Sequence, residues 1–153
     1  MTVEVALAML QRDGRWLMQL RDESPSIVAP GCWGLFGGHL DPGETPEQGL
    51  RRELMEEISW QPTALEHVLV HNIQRRTAYV FRAELSVPIE QLQLLEGQDM
   101  ALVSPVELLA GSIWSTHLGT HRPLADGLLE VIDRKSTRLN SSHSSVSRMP
   151  SSA

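Results

Sequence analysis

Two largely apolar runs open the chain, residues 2–10 and 16–21, and both are rich in strand formers. Between them Gln11-Arg12-Asp13-Gly14-Arg15 carries an Asp-Gly pair, a strong hairpin signal. Residues 22–32, with Pro25, Pro30 and Gly31, read as a loop. A short strand over 33–36 then runs into Gly37-Gly38 and the turn Asp41-Pro42-Gly43. There the pattern changes. Thr45 is a hydroxyl N-cap, Pro46 suits the first helical position, Glu47 lies in the first turn, and Gln48 stands at the capping-box position. A helix over 46–58 follows, with Leu50, Leu54 and Ile58 on one stripe, and Pro62 stops it. Residues 64–73 and 77–85 read as two strands joined at Gln74-Arg75-Arg76, 101–103 as another, 105–110 as a short helix and 123–132 as a last helix. Strands on both sides of a central helix predict an α/β sandwich around a mixed sheet, in one domain over residues 1–132.

The central helix carries an unusual charge pattern. Glu53, Glu56 and Glu57 fall at i, i+3 and i+4, so three carboxylates crowd one stripe beside the apolar one. Such crowding destabilises an isolated helix, and Arg52, four residues before Glu56, offsets only part of it. A hard divalent cation would offset the rest. Oxygen-only donors favour Mg²⁺ or Mn²⁺ over zinc, because no Cys and His cluster accompanies them. A bare E-x-x-E-E is usually a solvated helix face. Here the glutamates belong to a longer constellation: Gly38, Glu44 after five residues, and after seven more Arg52-Glu53-Leu54-Met55-Glu56-Glu57.

That constellation resembles the Nudix box, G-x5-E-x7-R-E-U-x-E-E-x-G-U with U aliphatic. It departs only at its end, where Ser59 replaces glycine and Trp60 an aliphatic residue. The resemblance extends over the Val5-Ala6 strand, Arg21, Trp33-Gly34-Leu35-Phe36-Gly37-Gly38 and Glu96-Gly97-Gln98-Asp99, in order over residues 3–132. It implies an α/β/α sandwich and Mg²⁺-dependent hydrolysis of a diphosphate bond in a nucleoside diphosphate derivative. Position by position it implies that Glu53, Glu56 and Glu57 hold metal with the carbonyl of Gly37, and that Glu53 or a later acid takes the proton of water. Arg52 then orients a box glutamate, and Glu44 acts from behind or braces the loop against Arg52 or Arg51. Asp99 is chosen over Glu96 as the late-loop acid. On the substrate side stand Arg21 (a phosphate contact or a surface ion pair), Trp33 and Phe36 (core residues or stacking platforms), Gly38, and His39 (facing the site or an exposed loop residue).

Composition narrows the partners. Residues 1–132 hold nine Arg, no Lys and 18 acids, a charge of −9, and the last 21 residues add +3 to give −6 overall. So acidic a domain is a poor general nucleic-acid binder, which argues against messenger-RNA decapping, yet small phosphates remain accessible through bridging metal ions. A small phosphorylated substrate is expected, with no nucleic acid or membrane partner, in a monomer or homodimer. The alternative is a non-catalytic Nudix-like nucleotide-binding module, but such modules usually lose the glutamates that this chain keeps. Lone Cys32 excludes an intramolecular disulfide, the start lacks a basic leader, and no apolar run reaches spanning length, so a cytoplasmic protein is expected. Residues 133–153, DRKSTRLNSSHSSVSRMPSSA, hold eight serines and the chain's only lysine. Both ends of that stretch resemble a translated sequencing adapter, so it is set apart from the domain as a disordered, non-native tail.

Overall fold

Asp13 and Gly14 both take positive φ, 53° and 74°, and so close the first hairpin between β1 (Val3–Arg12) and β2 (Arg15–Leu20). The computed structural model describes residues 3–27, 29–73, 75–128 and 131–132. The expected non-native tail lies outside them. The predicted 33–36 strand is split: β3 (Trp33–Gly34) pairs with β2, whereas β4 (Phe36–His39) crosses to pair antiparallel with β1. Leu35 marks the change of partner. After the helix α1 (Pro46–Ile58) come β5 (Glu66–Ile73) and β6 (Arg76–Glu84), and β6 lies parallel to β1 from Val3↔Arg76 to Gln11↔Glu84. With β7 (Asp99–Val103) antiparallel to β2, the result is a seven-stranded mixed sheet.

The alternation of β1 and β2 sorts side chains onto the two faces. Ala6, Ala8, Leu10 and Leu17 meet Leu50, Leu54 and Ile58 of α1, with Phe36 and Phe81 filling the space between. Val5, Met9, Trp16, Met18 and Leu20 form the opposite core with Trp33. That second face is covered by Leu108 of α2 (Pro105–Leu109), by Ile113 of β8 (Ser112–Ser115), and by Leu128, Val131 and Ile132. The hairpin of β8 with β9 (Thr120–Pro123) was not anticipated, and Pro123 ends β9 instead of starting a helix. Its strands are four residues each, with mixed polar and apolar positions, too short for a periodic signal. Among the described residues no helix is long and apolar enough to cross a membrane.

Helix α1 begins as its sequence requires: Thr45 accepts from the Gln48 amide, and the Gln48 side chain accepts from the Thr45 amide at 3.0 Å. It ends earlier than Pro62. Ser59 takes the left-handed conformation, φ 55° and ψ 36°, with its N–H donating to the Met55 carbonyl. The proline three residues on merely prevents the helix from resuming. A serine held left-handed costs on the order of 1 kcal/mol relative to glycine, and part of that is returned by serine's smaller freedom in the unfolded chain. Ser59→Gly should therefore raise the melting temperature by about 2–4 °C without changing turnover. Thermal melts of the two proteins check this, and a fall in melting temperature would contradict it.

Candidate active site

The loop between β4 and α1 is built around close approaches that need glycine. Gly37 has φ 138°, and a Cβ there would overlap the Ala6 carbonyl; a Cβ on Gly38 would lie 2.6 Å from Oε1 of Glu53. Glycine at these positions lets the helix carboxylates rest on the β4 backbone. The Gly37 N–H donates to Oε1 of Glu57 at 2.9 Å. Gly49, in the helix, is needed for the same reason: a Cβ would strike Leu40 and come within 3.1 Å of Glu44 Oε1. Its cost in helix propensity, about 1 kcal/mol, allows the loop to pack down on α1.

Arg52 ties this loop to the helix. Its Nε and one terminal nitrogen grip both oxygens of Glu44 at 2.8 and 3.0 Å, and that same terminal nitrogen donates to the His39 carbonyl at 3.0 Å. The other terminal nitrogen reaches Oε2 of Glu53 at 2.9 Å and Oε1 of Glu56 at 3.2 Å. Asp41 stands 3.3 Å from Nε. Arg52 is thus bonded to two box glutamates at once, and Glu44 ties the loop to it. The Arg52 hydrogen bonds hold the Glu44 carboxyl down to about 2, helped by the Asp41 amide, and Glu44 in turn raises Arg52.

The inner carboxylates are in the opposite condition. Burial pushes Glu57 up to about 8; the Gly37 amide opposes this, while the charges of Glu53 and Glu96 add to it. Burial also raises Glu53, despite the hydrogen bond and charge of Arg52. Glu56 is half exposed. Arg52 alone therefore cannot neutralise the stripe, and Glu57 holds a proton near neutral pH that a bound cation could replace.

The two acids of the late loop, Asp99 and Glu96, have different surroundings. Asp99 is committed elsewhere: Oδ1 accepts from the Met100 amide at 2.8 Å, and Oδ2 accepts from the Ser115 hydroxyl at 2.7 Å and the His117 amide at 3.3 Å. It anchors the β8–β9 hairpin. The acid whose charge reaches both Glu53 and Glu57 is Glu96. From sequence both stood in the same short loop, and only the backbone path distinguishes them. That path is fixed by Leu95 N–H donating to the Glu57 carbonyl at 2.8 Å and Gln93 N–H to that of Ile58 at 3.2 Å, which cap the end of α1.

The structure corrects Trp33 and Phe36. Both have no exposed surface, and Trp33 Nε1 donates to the Ile113 carbonyl at 3.1 Å, so neither ring is a stacking platform. His39 is the exposed last residue of β4, and its carbonyl accepts from Arg52. Its neighbours from Leu40 to Glu44 line an open hollow with Val3 and Glu4, outside the carboxylate stripe. Arg21 lies within electrostatic reach of Glu57 and also of Arg76, whose proton is made easier to lose by burial first and by the charge of Arg21 second.

The donor set fits a hard divalent cation in its chemistry: carboxylate oxygens, two of them burdened by burial. Among the described residues no three such groups converge as a ready-made cage. Magnesium does not require one, because it keeps several waters and takes one or two carboxylates together with substrate phosphates.

With this geometry in view, comparison with known proteins is direct. A family model described as NUDIX domain matches residues 1–120. The CTP pyrophosphohydrolase of Escherichia coli (strain K12) is 32% identical over 109 residues, covering 70% of this chain and 79% of its own. Nucleoside triphosphatase NudI of Salmonella newport (strain SL254) is 28% identical over 149 residues, covering 82% and 96%. The solution structure of the E. coli ORF135 protein superposes with TM-score 0.64 at 26% identity, covering 92% of each chain. A bifunctional NMN adenylyltransferase/ADP ribose pyrophosphatase from Francisella tularensis, complexed with AMP and a Mn ion, gives 0.67 at 18% identity over 90% of this chain and 42% of its own, which bears on the fold alone. The chain belongs to the NUDIX family, whose members generally use divalent metals. It is a Nudix-type pyrophosphohydrolase, and its chemistry is hydrolysis of a diphosphate bond in nucleotide derivatives.

The pKa shifts have opposite consequences for stability. Glu57 is raised on folding, so the folded state binds more protons than the unfolded one between about 4.5 and about 8, and stability falls as pH rises through that window. Glu44 is lowered, so its contribution is complete above about 4.5 and is lost only as pH falls towards about 2. In chelator, denaturant melts from pH 5 to pH 8 should therefore show declining stability, by at most about 1.4 kcal/mol per pH unit from Glu57. Glu57→Gln should flatten the decline; an equally steep decline in that variant would show that the group responsible lies elsewhere.

Proposed function

We propose that the protein hydrolyses small nucleoside triphosphates or related nucleoside diphosphate derivatives with Mg²⁺ held by Glu53, Glu56 and Glu57. Glu96 is the late-loop acid that joins them. The observation that carries this reading is the gathering of Glu53 and Glu57 on the Gly37-Gly38 backbone, with Glu57 so deeply buried that its carboxyl rises to about 8. When bound, the cation lowers the pKa of water and stabilises charge on phosphate oxygens. Glu53, raised by burial yet bonded to Arg52, is suited to accept the proton of the attacking water. Arg52 keeps that carboxylate and Glu56 in place. Arg21 and Arg76 supply positive charge for a substrate phosphate on the sheet side of Glu57. A nucleotide substrate also agrees with what the names of the relatives say of those proteins.

The test is a screen of nucleoside triphosphates, sugar nucleotides and ADP-ribose for product release with Mg²⁺, with Mn²⁺ and with chelator. Turnover should require the cation. Glu57→Gln keeps the shape but loses the charge, and should reduce kcat by about two or more orders of magnitude with the fold retained. Full activity in chelator, or unchanged kcat in the variant, would sink the mechanism. Arg21→Ala should act differently, raising KM for the substrate that the screen identifies by about tenfold while leaving Mg²⁺ dependence intact. An unchanged KM would place Arg21 outside the substrate contacts.

A further inference from the structure

We propose that Gln19 is a positioning residue: it holds the loop that brings Glu96 to the box carboxylates. The inference rests on the reading of Glu96 as part of the proposed metal site. In β2 the neighbours Leu17, Met18 and Leu20 are all core residues, and Gln19 is the one buried polar side chain of the strand, 3% exposed. A carboxamide at a core position is costly unless it is bonded. Its Nε2 donates to the Glu96 carbonyl at 2.9 Å, and its Oε1 has no hydrogen-bond partner among the described residues. A side chain half satisfied in the core, with its satisfied half on the loop, is retained at the expense of packing, which points to the loop as its purpose.

The loop fits around it. Gly97 has φ 100°, and a Cβ there would meet both Gln19 Cγ and the Leu20 carbonyl at 2.9 Å, so only glycine lets the backbone lie on Gln19. Leu95 N–H on the Glu57 carbonyl and Gln98 N–H on the Leu20 carbonyl, at 2.8 and 2.7 Å, fasten the two ends of the turn. Between those fastenings Glu96 is the residue that repulsion would drive away, because its charge opposes Glu53 and Glu57. The Gln19 hydrogen bond acts on the backbone of that residue and resists the displacement.

Gln19→Met keeps length and adds no charge but removes the donor, and Gln19→Asn keeps the amide but withdraws it from reach. Mn²⁺ binding to substrate-free protein, followed by electron paramagnetic resonance, is measured for both variants, for Glu96→Gln and for the Gln19→Met/Glu96→Gln double variant, with kcat and KM alongside. Each Gln19 variant should weaken Mn²⁺ by about tenfold, the range found when a residue behind a ligand is lost, and lower kcat more than it raises KM. The double variant should bind no more weakly than Glu96→Gln alone, since both changes remove one carboxylate from the site. Wild-type Mn²⁺ affinity in either folded Gln19 variant, or losses that multiply in the double variant, would overturn the role of Gln19. Wild-type affinity in Glu96→Gln overturns the assignment of Glu96 itself, and shows this before Gln19 is altered.

Discussion

Too many carboxylates share too few cations along one edge of α1, and the local structure is arranged around that imbalance. Arg52 is bonded directly to Glu44, Glu53 and Glu56 and offsets part of their charge. Glu57 lies beyond its hydrogen bonds and receives only the partial positive charge of the Gly37 amide and the more distant charge of Arg21. Burial is what makes the difference costly, since water cannot supply the missing solvation. A cation in the same place turns the cost into binding energy, which is the usual relation between a strained charge cluster and a metal site.

The fold keeps the cluster from relaxing. Leu50, Leu54 and Ile58 hold the helix on the sheet, so the carboxylate stripe cannot rotate into solvent. Gly37, Gly38 and Gly49 allow β4, the following loop and α1 to approach more closely than side chains would permit. The segment after α1 fastens onto the helix carbonyls of Glu57 and Ile58 and carries Glu96 inward. A single geometry thus serves the helix cap, the loop path and the charge cluster.

Local signals and the box spacing made much of this legible. The Asp13-Gly14 turn, the Thr45-Gln48 capping box, the end of α1 at Ile58 and the left-handed residue where the box has glycine could all be read from residue types. What could not be read depends on contacts between distant segments. Trp33 and Phe36 flank the box glycines in sequence, yet the crossing from β2 to β1 at Leu35 sends them into opposite cores. Asp99 and Glu96 differ by three positions, and the hairpin that claims Asp99 has strands too short to announce themselves. Gln19 carries no motif or spacing that sets it apart in the sequence. Only its burial and its bond to Glu96 do so.

The central claim is that the buried Glu57 carboxyl exchanges its proton for a divalent cation. Calorimetric titration of Mg²⁺ into chelator-treated protein, in two buffers of different ionisation enthalpy, measures that exchange directly. Near pH 7 binding should release close to one proton per site, and the release should diminish as pH rises past about 8, where Glu57 is already ionised. Binding without proton release near pH 7, or no Mg²⁺ binding at all, would contradict the account.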